Sequence, residues 1–488
     1  MDTDNNSPAP APTLRIESHS IDYVPLRERH GKAWHLWPVW FTGDAHLATV
    51  ATGVLGITMG ANLLWTAIAI LTGCAFGTFF MAFHSSQGPQ LGLPQMIQSR
   101  PQFGYLGALL VWVVALVTYV GYNAFNQLLA GQAAHLLIGV GPTGAYLVFT
   151  VIALALAIFG YDWIHKAQRW LAYALLAVLV IFSLGIGFTG ELPPGQFNLS
   201  GFHAVAFLTQ FFVAAAYQLS WAIYVSDYSR YLPKTVGVRA TFWWTYLGAL
   251  IGGTWMMLVG AMAAALNAKL DVSEVLLRAG DTIFPGFGTI LIVVALLGLI
   301  TVTGLNFYGG SLTLLSIADS IRPIRHTRTE RLLSLLFCAV VATFIALRAS
   351  GDFLHEFEGF LGVLLLLFTP WTAINLVDFF WVRHTHYSIR EIFNPHGIYG
   401  RWGWRGLLAY LLGFLAMLPF AETELFTGPI GAELGVDIGM IPGLIISAGA
   451  YLLFCRNIDL DAERAVIARA DADLDRAPGS EVRPEPAT

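Results

Sequence analysis

The chain has 488 residues, of which 56% are hydrophobic and only 12% are charged, and its mean hydropathy is +0.63. A soluble fold of this length exposes more surface than so few charged residues could cover, so the composition excludes a soluble multidomain protein. The formal net charge of −5 favours no charged partner. Three widely separated cysteines, Cys74, Cys338 and Cys455, argue against a disulfide framework or a cysteine metal site.

Twelve apolar runs predict twelve membrane-spanning helices. Their approximate bounds are 36–60, 63–84, 105–137, 144–163, 170–189, 203–226, 240–266, 284–318, 332–349, 357–382, 405–421 and 438–455. The polar N-terminal segment lacks the apolar core of a cleavable signal peptide. The predicted organisation is therefore all-α, with polar, mobile tails at 1–35 and 457–488 around a twelve-helix domain at 36–456.

The basic residues predict the orientation of these spans. With the N-terminus in the cytoplasm and twelve alternating spans, all but three of the 26 Lys and Arg residues fall on the cytoplasmic side. The exceptions are Lys269, Arg278 and Arg348. We therefore expect a multi-pass protein of the cell membrane with both termini in the cytoplasm.

The first span begins with the stretch "WFTGDAHLATVATGVLGITMG", which holds an acid, an imidazole and several residues that loosen a helix. Asp44 and His46 are costly in lipid, and both can carry a proton. The small and hydroxylated residues after them could let the helix open, which frees backbone carbonyls for a cation or a ligand. The alternative is a snorkelling interfacial pair with glycines used for close helix packing.

The third span places Tyr119, Tyr122, Asn123 and Asn126 on one helix face. Aromatic rings can stack on a flat ligand while carboxamides read its hydrogen-bonding edge, so this face suits a planar, polar, uncharged ligand. The alternative is hydrogen bonding between helices, which uses the same residue types.

The sixth span has the centre "AAAYQLSW", in which small residues precede Gln218, Ser220 and Trp221. This mixture can bring backbone close to a ligand beside aromatic and hydrogen-bonding side chains, although ordinary packing is the alternative. At the end of the span, Asp227 and Arg230 are expected to pair or cap, with a structural or gating role.

The eighth span carries Thr301, Thr303 and Asn306 in the middle of an apolar run. Their oxygens suit Na⁺, whereas threonine bonding back to its own helix is the alternative. The first and sixth spans are both interrupted by small and polar residues, and so are the third and eighth. That spacing of five spans is typical of two inverted five-helix repeats with a site at their interface.

Several segments together resemble the nucleobase:cation symporter-1 family, in its purine–cytosine permease-like branch. They are "IDYVPLRERHGK", "TGVLG", "GLPQMIQSRPQFGYLGA", "SDYSRYLP" and "NLVDFFWVRHTHYSIREIF". The resemblance runs from about residue 17 to 455. It implies the leucine-transporter-type fold with repeats near 36–190 and 203–382 and two extra helices near 405–455. It also implies uptake of a nucleobase or related heterocycle with Na⁺ or H⁺ by alternating access.

The resemblance also implies positions for the substrate and the ion. Tyr122 corresponds to the aromatic that stacks on the base, and the sixth-span contacts map onto Gln218 and Ser220. Those of the eighth span map near Thr303 and Asn306. The family's Na⁺ site falls near Thr42 and His46 in the first span and at Thr301 and Val302 in the eighth.

Val302 departs from that pattern, because Na⁺-coupled members are expected to carry a hydroxyl there. With Asp44 and His46 close by, we favour H⁺ as the coupling ion and expect no other cofactor. Permeases for allantoin, hydantoin or a vitamin such as pyridoxine or thiamine remain the alternative.

A channel is disfavoured because the chain shows no repeated filter or continuous polar lining. An enzyme is disfavoured because it shows no HExxH or GxSxG motif. Apart from the bilayer and a small heterocycle we expect no partner, no nucleic acid, and a monomer that is functional alone.

Overall fold

The computed structural model describes residues 22–474 except 160, 268–269, 323, 325–326, 350–352, 424–425 and 473. In this part of the chain the regular structure is helical, with one isolated bridge between Glu422 and Thr427. The predicted all-α class is confirmed. Seven of the described helices are long and apolar enough to cross a membrane by themselves. Other apolar helices are shorter or broken, so the count of twelve spans stays a prediction.

The first half of the chain forms nine helices within the described ranges. They are α1 (Leu36–Gly43), α2 (Leu47–Thr52), α3 (Leu55–Thr58), α4 (Leu63–Ser85), α5 (Gln87–Leu91), α6 (Arg100–Phe103), α7 (Leu109–Ile138), α8 (Pro142–Phe159) and α9 (Tyr161–Thr189). The predicted first span is thus three short helices instead of one, whereas the third span is the single long helix α7.

The second half adds twelve helices among the described residues. They are α10 (Ala204–Ser220), α11 (Val225–Ser229), α12 (Gly237–Leu266), α13 (Val272–Asp281), α14 (Phe287–Ile321), α15 (Arg328–Arg348), α16 (Phe353–Val377), α17 (Ile389–Phe393), α18 (Trp404–Met417), α19 (Pro429–Leu434), α20 (Met440–Cys455) and α21 (Leu460–Ala470). The predicted sixth span is interrupted like the first, since a 3-10 turn separates α10 from α11.

Two groups of helices meet around the two broken spans. In the first group, α4 packs against α10 and α12, and α12 also packs against α1 and α2. Glycine makes the contact close, because a Cβ on Gly77 would lie 2.2 Å from the carbonyl oxygen of Ala215. In the second group, α7 packs against α14, α15 and α8. The broken spans therefore face the long helices α7 and α14 across the middle of the molecule.

Two segments of the polar flanks make contacts with the helical domain. Arg29 is only 6% exposed and donates to the carbonyl oxygens of Val24 and Pro89, which fixes the segment before α1. After the last apolar helix, α21 binds back through Glu463, which accepts two hydrogen bonds from Arg383. Arg29 and Glu463 thus connect these segments to the helical domain, and the mobility of the tails stays a prediction.

Candidate functional site

The first broken span opens at three residues between α1 and α2. Asp44 is the C-terminal cap of α1, and His46 adopts extended backbone angles of φ −153° and ψ 167° before α2 begins. The helix opens at the acid and the imidazole themselves, which is what the small and polar residues around them predict. Unwound backbone at membrane depth is tolerated only where protein or a cavity surrounds it, so this break indicates a site for an ion or a ligand.

Asp44 lies inside the protein, where it is 2% exposed. Its Oδ2 accepts a hydrogen bond of 3.3 Å from Nε2 of Gln218, which also donates to the carbonyl oxygen of Ala249 at 3.4 Å. Its Oδ1 has no hydrogen-bond partner among the described residues, and no Lys or Arg of the described part forms an ion pair with it. A buried carboxyl without a cation is expensive as the anion, and protonation removes that charge.

His46 is 5% exposed and belongs to a chain of polar groups that joins the two broken spans. Its Nε2 lies 3.1 Å from the hydroxyl of Tyr217, which lies 2.6 Å from the hydroxyl of Thr49. The Nδ1 atom has no partner in the described structure. The imidazole ring also contacts Trp221, with ring centroids 6.1 Å apart. His46 is therefore held in place at one nitrogen and available at the other.

The second broken span presents aromatic and hydroxyl groups to α7. Ser220, the last residue of α10, lies 2.9 Å from the hydroxyl of Tyr122. One turn earlier on α7, Tyr119 stacks on Tyr224 with centroids 5.6 Å apart and planes inclined by 18°. Trp221 lies between the two helical parts of the span. The structure thus brings together the predicted residues of the third and sixth spans.

The eighth predicted span is α14, and it contributes one polar contact to this centre. Asn126 donates from Nδ2 to the hydroxyl of Thr303 at 3.1 Å. Thr301 instead donates to the carbonyl oxygen of Gly298 on its own helix, as the alternative interpretation expects. Asn306 is half-buried. In the first span, Thr42 likewise donates to its own helix, at Pro38.

Several unpaired polar atoms lie on the two broken spans and on α7. Buried side-chain atoms without a partner in the described part of the chain are Asp44 Oδ1, His46 Nδ1, Asn126 Oδ1, Gln218 Oε1, Trp221 Nε1 and both amide atoms of Asn123 and of Gln127. Buried polar groups in proteins are almost always paired, so such a set of unpaired atoms indicates a site for a polar ligand or water.

Tyr224, which stacks on Tyr119, is one member of this centre that the sequence analysis does not name. Tyr224 could not be placed from helical spacing, because the 3-10 turn before it changes the direction in which it faces.

A separate cavity of about 300 Å³ lies between the first turns of α16, the middle of α10 and the loop that precedes α20. Its titratable lining residues are His355, Glu358, Glu422 and Asp437. Burial raises the pKa of Asp437 to about 6, although a hydrogen bond from the backbone N–H of Gly439 partly opposes that shift. The lining of this acidic cavity includes none of the polar residues of the centre.

Comparison with known proteins places this geometry in a family. The family model described as "Permease for cytosine/purines, uracil, thiamine, allantoin" matches residues 23–442. The putative purine-cytosine permease YxlA of Bacillus subtilis is 34% identical over 91% of this chain and 96% of its own. The purine-cytosine permease fcyB of Emericella nidulans is 24% identical over 91% of this chain and 89% of its own.

Solved structures of Mhp1, a nucleobase-cation-symport-1 family transporter, share the fold. Its inward-facing conformation gives a TM-score of 0.71 with 17% identity, over 96% of this chain and all of that one. A closed conformation with bromovinylhydantoin bound gives a TM-score of 0.68 with 15% identity, over 94% of this chain and 99% of that one. These relatives are transporters and not enzymes, as the sequence analysis predicts. This chain belongs to the family of permeases for cytosine and purines, uracil, thiamine and allantoin.

Proposed function

We propose that this permease imports a nucleobase, cytosine or a purine, by symport with H⁺ through alternating access. The observation that carries the proposal is the buried carboxyl of Asp44 at the break of the first span, which forms no ion pair with a Lys or Arg of the described residues. Through Gln218 this carboxyl is joined to the second broken span. A proton bound there would therefore alter a contact between two elements that must change their relation during transport.

The substrate would occupy the centre between the broken spans and α7. Tyr122 would stack on its ring, and the carboxamides of Asn126 and Gln218 would read its edge. These carboxamides have an unpaired oxygen each, which supports the assignment. Asn306 would complete the polar lining. The helices of the first, second, sixth and seventh spans would rock against the others, and no covalent chemistry would occur.

H⁺ is favoured over Na⁺ because the oxygen cage around the predicted ion position is poor. Val302 has no side-chain oxygen at a position where Na⁺-coupled members are expected to carry a hydroxyl. His46 and Asp44 are the groups that could hold the coupling proton. We further propose that both termini lie in the cytoplasm, that the monomer is functional, and that the coupling ion is the only cofactor.

The test uses purified protein in proteoliposomes. Labelled cytosine or adenine should accumulate when an inward pH gradient is imposed, without Na⁺, and unlabelled bases should compete. Asp44→Asn should abolish accumulation driven by the pH gradient. Exchange of labelled for unlabelled base should be unchanged in this variant. Asp437→Asn, which changes a partly buried carboxyl outside the centre, is the matched control and should accumulate normally.

Accumulation that follows a Na⁺ gradient and ignores the pH gradient would overturn H⁺ coupling. If allantoin, hydantoin or pyridoxine competed for uptake and no base did, the substrate would be one of these alternatives and not a nucleobase. Equilibration without accumulation under any gradient would contradict secondary active transport altogether.

A further inference from the structure

Gly253 of α12 lies directly against the side-chain amide of Gln218 at the break of the first span. A Cβ on Gly253 would lie 1.7 Å from Nε2 of Gln218 and 3.3 Å from Oδ2 of Asp44. The amide therefore occupies the space that a side chain at this position of α12 would need. From there Nε2 donates to Oδ2 of Asp44 and to the carbonyl oxygen of Ala249, one turn earlier on α12. The backbone of α12 is thus a third wall beside the carboxyl, next to the two broken spans.

Two other glycines of α12 have a different role, because they let the backbones of two helices approach. A Cβ on Gly248 would lie 2.6 Å from the carbonyl oxygen of Trp37. A Cβ on Gly252 would lie 2.7 Å from the carbonyl oxygen of Phe41. Small residues commonly permit such contacts between membrane helices. A Cβ on Gly253 would instead meet the end of a flexible side chain, so close packing of backbones does not account for this glycine.

Gln218 connects the proposed proton site with the proposed substrate site. The bond from its Nε2 is the one hydrogen bond that the described structure gives the carboxyl of Asp44, and its own Oε1 is buried without a partner there. A hydrogen bond to a carboxylate is stronger than one to a neutral carboxyl group, so protonation of Asp44 changes how firmly the amide is held. The amide can pass this change to a bound base only while it occupies the space beside Gly253.

We propose that Gly253 is a positioning residue for proton coupling, which by lacking a Cβ admits the Gln218 amide between Asp44 and α12. The inference rests on the proposed symport of a nucleobase with H⁺. A side chain at this position displaces the amide from the carboxyl. The protein then folds and binds a base, but binding of the base no longer responds to protonation of Asp44.

A substitution of Gly253 leaves the titratable groups near the carboxyl chemically unchanged. They are His46 of the first span, Cys74 of α4, Tyr122 of α7 and Tyr217 of α10. A loss of pH dependence in a Gly253 variant is therefore due to the displaced amide and not to the loss of a titratable side chain.

The experiment measures Kd for labelled cytosine and adenine at pH 5.5 and pH 8, with the full-length protein in nanodiscs. Proton and base should favour each other's binding to the wild-type protein, so Kd should be at least about fivefold lower at pH 5.5. Gly253→Ala should bring the two Kd values to within about twofold of each other, and Gln218→Ala should do the same. Adding Gly253→Ala to Gln218→Ala should change Kd by less than about twofold, because no amide is left to displace.

The adjacent glycine provides the matched control. Gly252→Ala places a methyl group against the backbone of α1, so it should lower the thermal unfolding temperature and keep the pH dependence of Kd. Gly253→Ala should unfold at or above the temperature of the wild-type protein, because alanine favours a helix over glycine and the amide that it meets can move.

Three results would each overturn the proposal. They are a wild-type pH dependence of Kd in Gly253→Ala, a further change in Kd when Gly253→Ala is added to Gln218→Ala, and a loss of pH dependence in Gly252→Ala equal to that in Gly253→Ala. A wild-type protein that binds neither base, or binds them with a Kd independent of pH, would instead overturn the proposed function. The two failures are distinguishable, because the first appears in the variants and the second in the wild-type protein.

Discussion

Two buried polar regions of this permease differ in how completely their atoms are paired. At the centre, Asp44 has one weakly bound oxygen and one without a partner in the described structure. At the end that carries α21, Asp378 is 0% exposed and accepts hydrogen bonds from four side chains. The donors are Gln102, Arg383, Tyr387 and Tyr451.

The comparison teaches how to separate ligand sites from structural networks in a membrane protein. A fully paired cluster stabilises the fold, and removing a member leaves buried groups unpaired. An incompletely paired cluster costs stability in the empty protein, and a ligand can supply the missing partners. The predictions below test whether the two regions respond to substitution in these opposite ways.

The largest effect is expected for Asp378→Ala. The substitution leaves Glu463 as the one carboxylate that Arg383 binds in the described structure and removes the acceptor of two tyrosine hydroxyls, so it should destabilise the fold by about 3–5 kcal/mol. Thermal unfolding in detergent, followed by tryptophan fluorescence, measures the change. Asp378→Asn retains an acceptor oxygen and should cost less. A loss below about 1 kcal/mol for the alanine variant would show that the cluster is not structural.

Asp437 is an intermediate case, since its Oδ1 accepts from Gly439 while its Oδ2 is unpaired among the described atoms. Burial raises its pKa to about 6, so between about pH 4 and pH 6 the folded protein holds a proton that the unfolded chain releases. The free energy of unfolding should therefore fall as pH rises through this window, by up to about 3 kcal/mol.

Unfolding curves of wild type and Asp437→Asn between pH 4 and pH 7 measure this contribution. The asparagine variant should lack the part of the pH dependence that Asp437 supplies. Parallel pH profiles for the two proteins would contradict the prediction.

Glu463→Gln should have a smaller effect, of about 1–3 kcal/mol, because Arg383 keeps its bond to Asp378. The substitution weakens the bidentate pair that holds α21. Limited proteolysis at α21 measures the loss of docking, and cleavage should be faster than in the wild type. Asp461→Asn changes an exposed carboxylate on the same helix and is the control that should leave cleavage unchanged.

The smallest stability effect is expected at the centre itself. Asp44→Asn replaces an incompletely bonded carboxyl by a neutral group of the same shape, so unfolding should change by less than about 1 kcal/mol or shift toward greater stability. A destabilisation as large as that of Asp378→Ala would show that Asp44 belongs to a structural network. In that case the contrast between the two regions would not hold.

The sequence was sufficient for the fold class and for the place where the first span opens. Apolar runs of membrane length predict the helices, and Asp44 beside small residues predicts the break, because lipid penalises both features strongly. Sequence periodicity also predicts that Tyr122 and Asn126 share a face of α7, and the structure joins them to Ser220 and Thr303.

Other features depend on long-range contacts that no local pattern contains. The docking of α21 requires Arg383 to be buried next to Glu463, eighty residues away along the chain. That both amide atoms of Gln127 are buried without a partner among the described residues could not be predicted, because a single carboxamide in an apolar helix looks the same whether it is paired or unpaired.

The pairing of Arg383 with Glu463 has a consequence for biosynthesis. The chain emerges from its N-terminus at about 5–20 residues per second, so Arg383 is made roughly 4–16 s before its partner. During that interval the guanidinium has only the acceptors that precede α21. A chain that ends before α21 would keep its apolar helices and yet lack the clamp, so the cluster is completed only after the last apolar helix has been made.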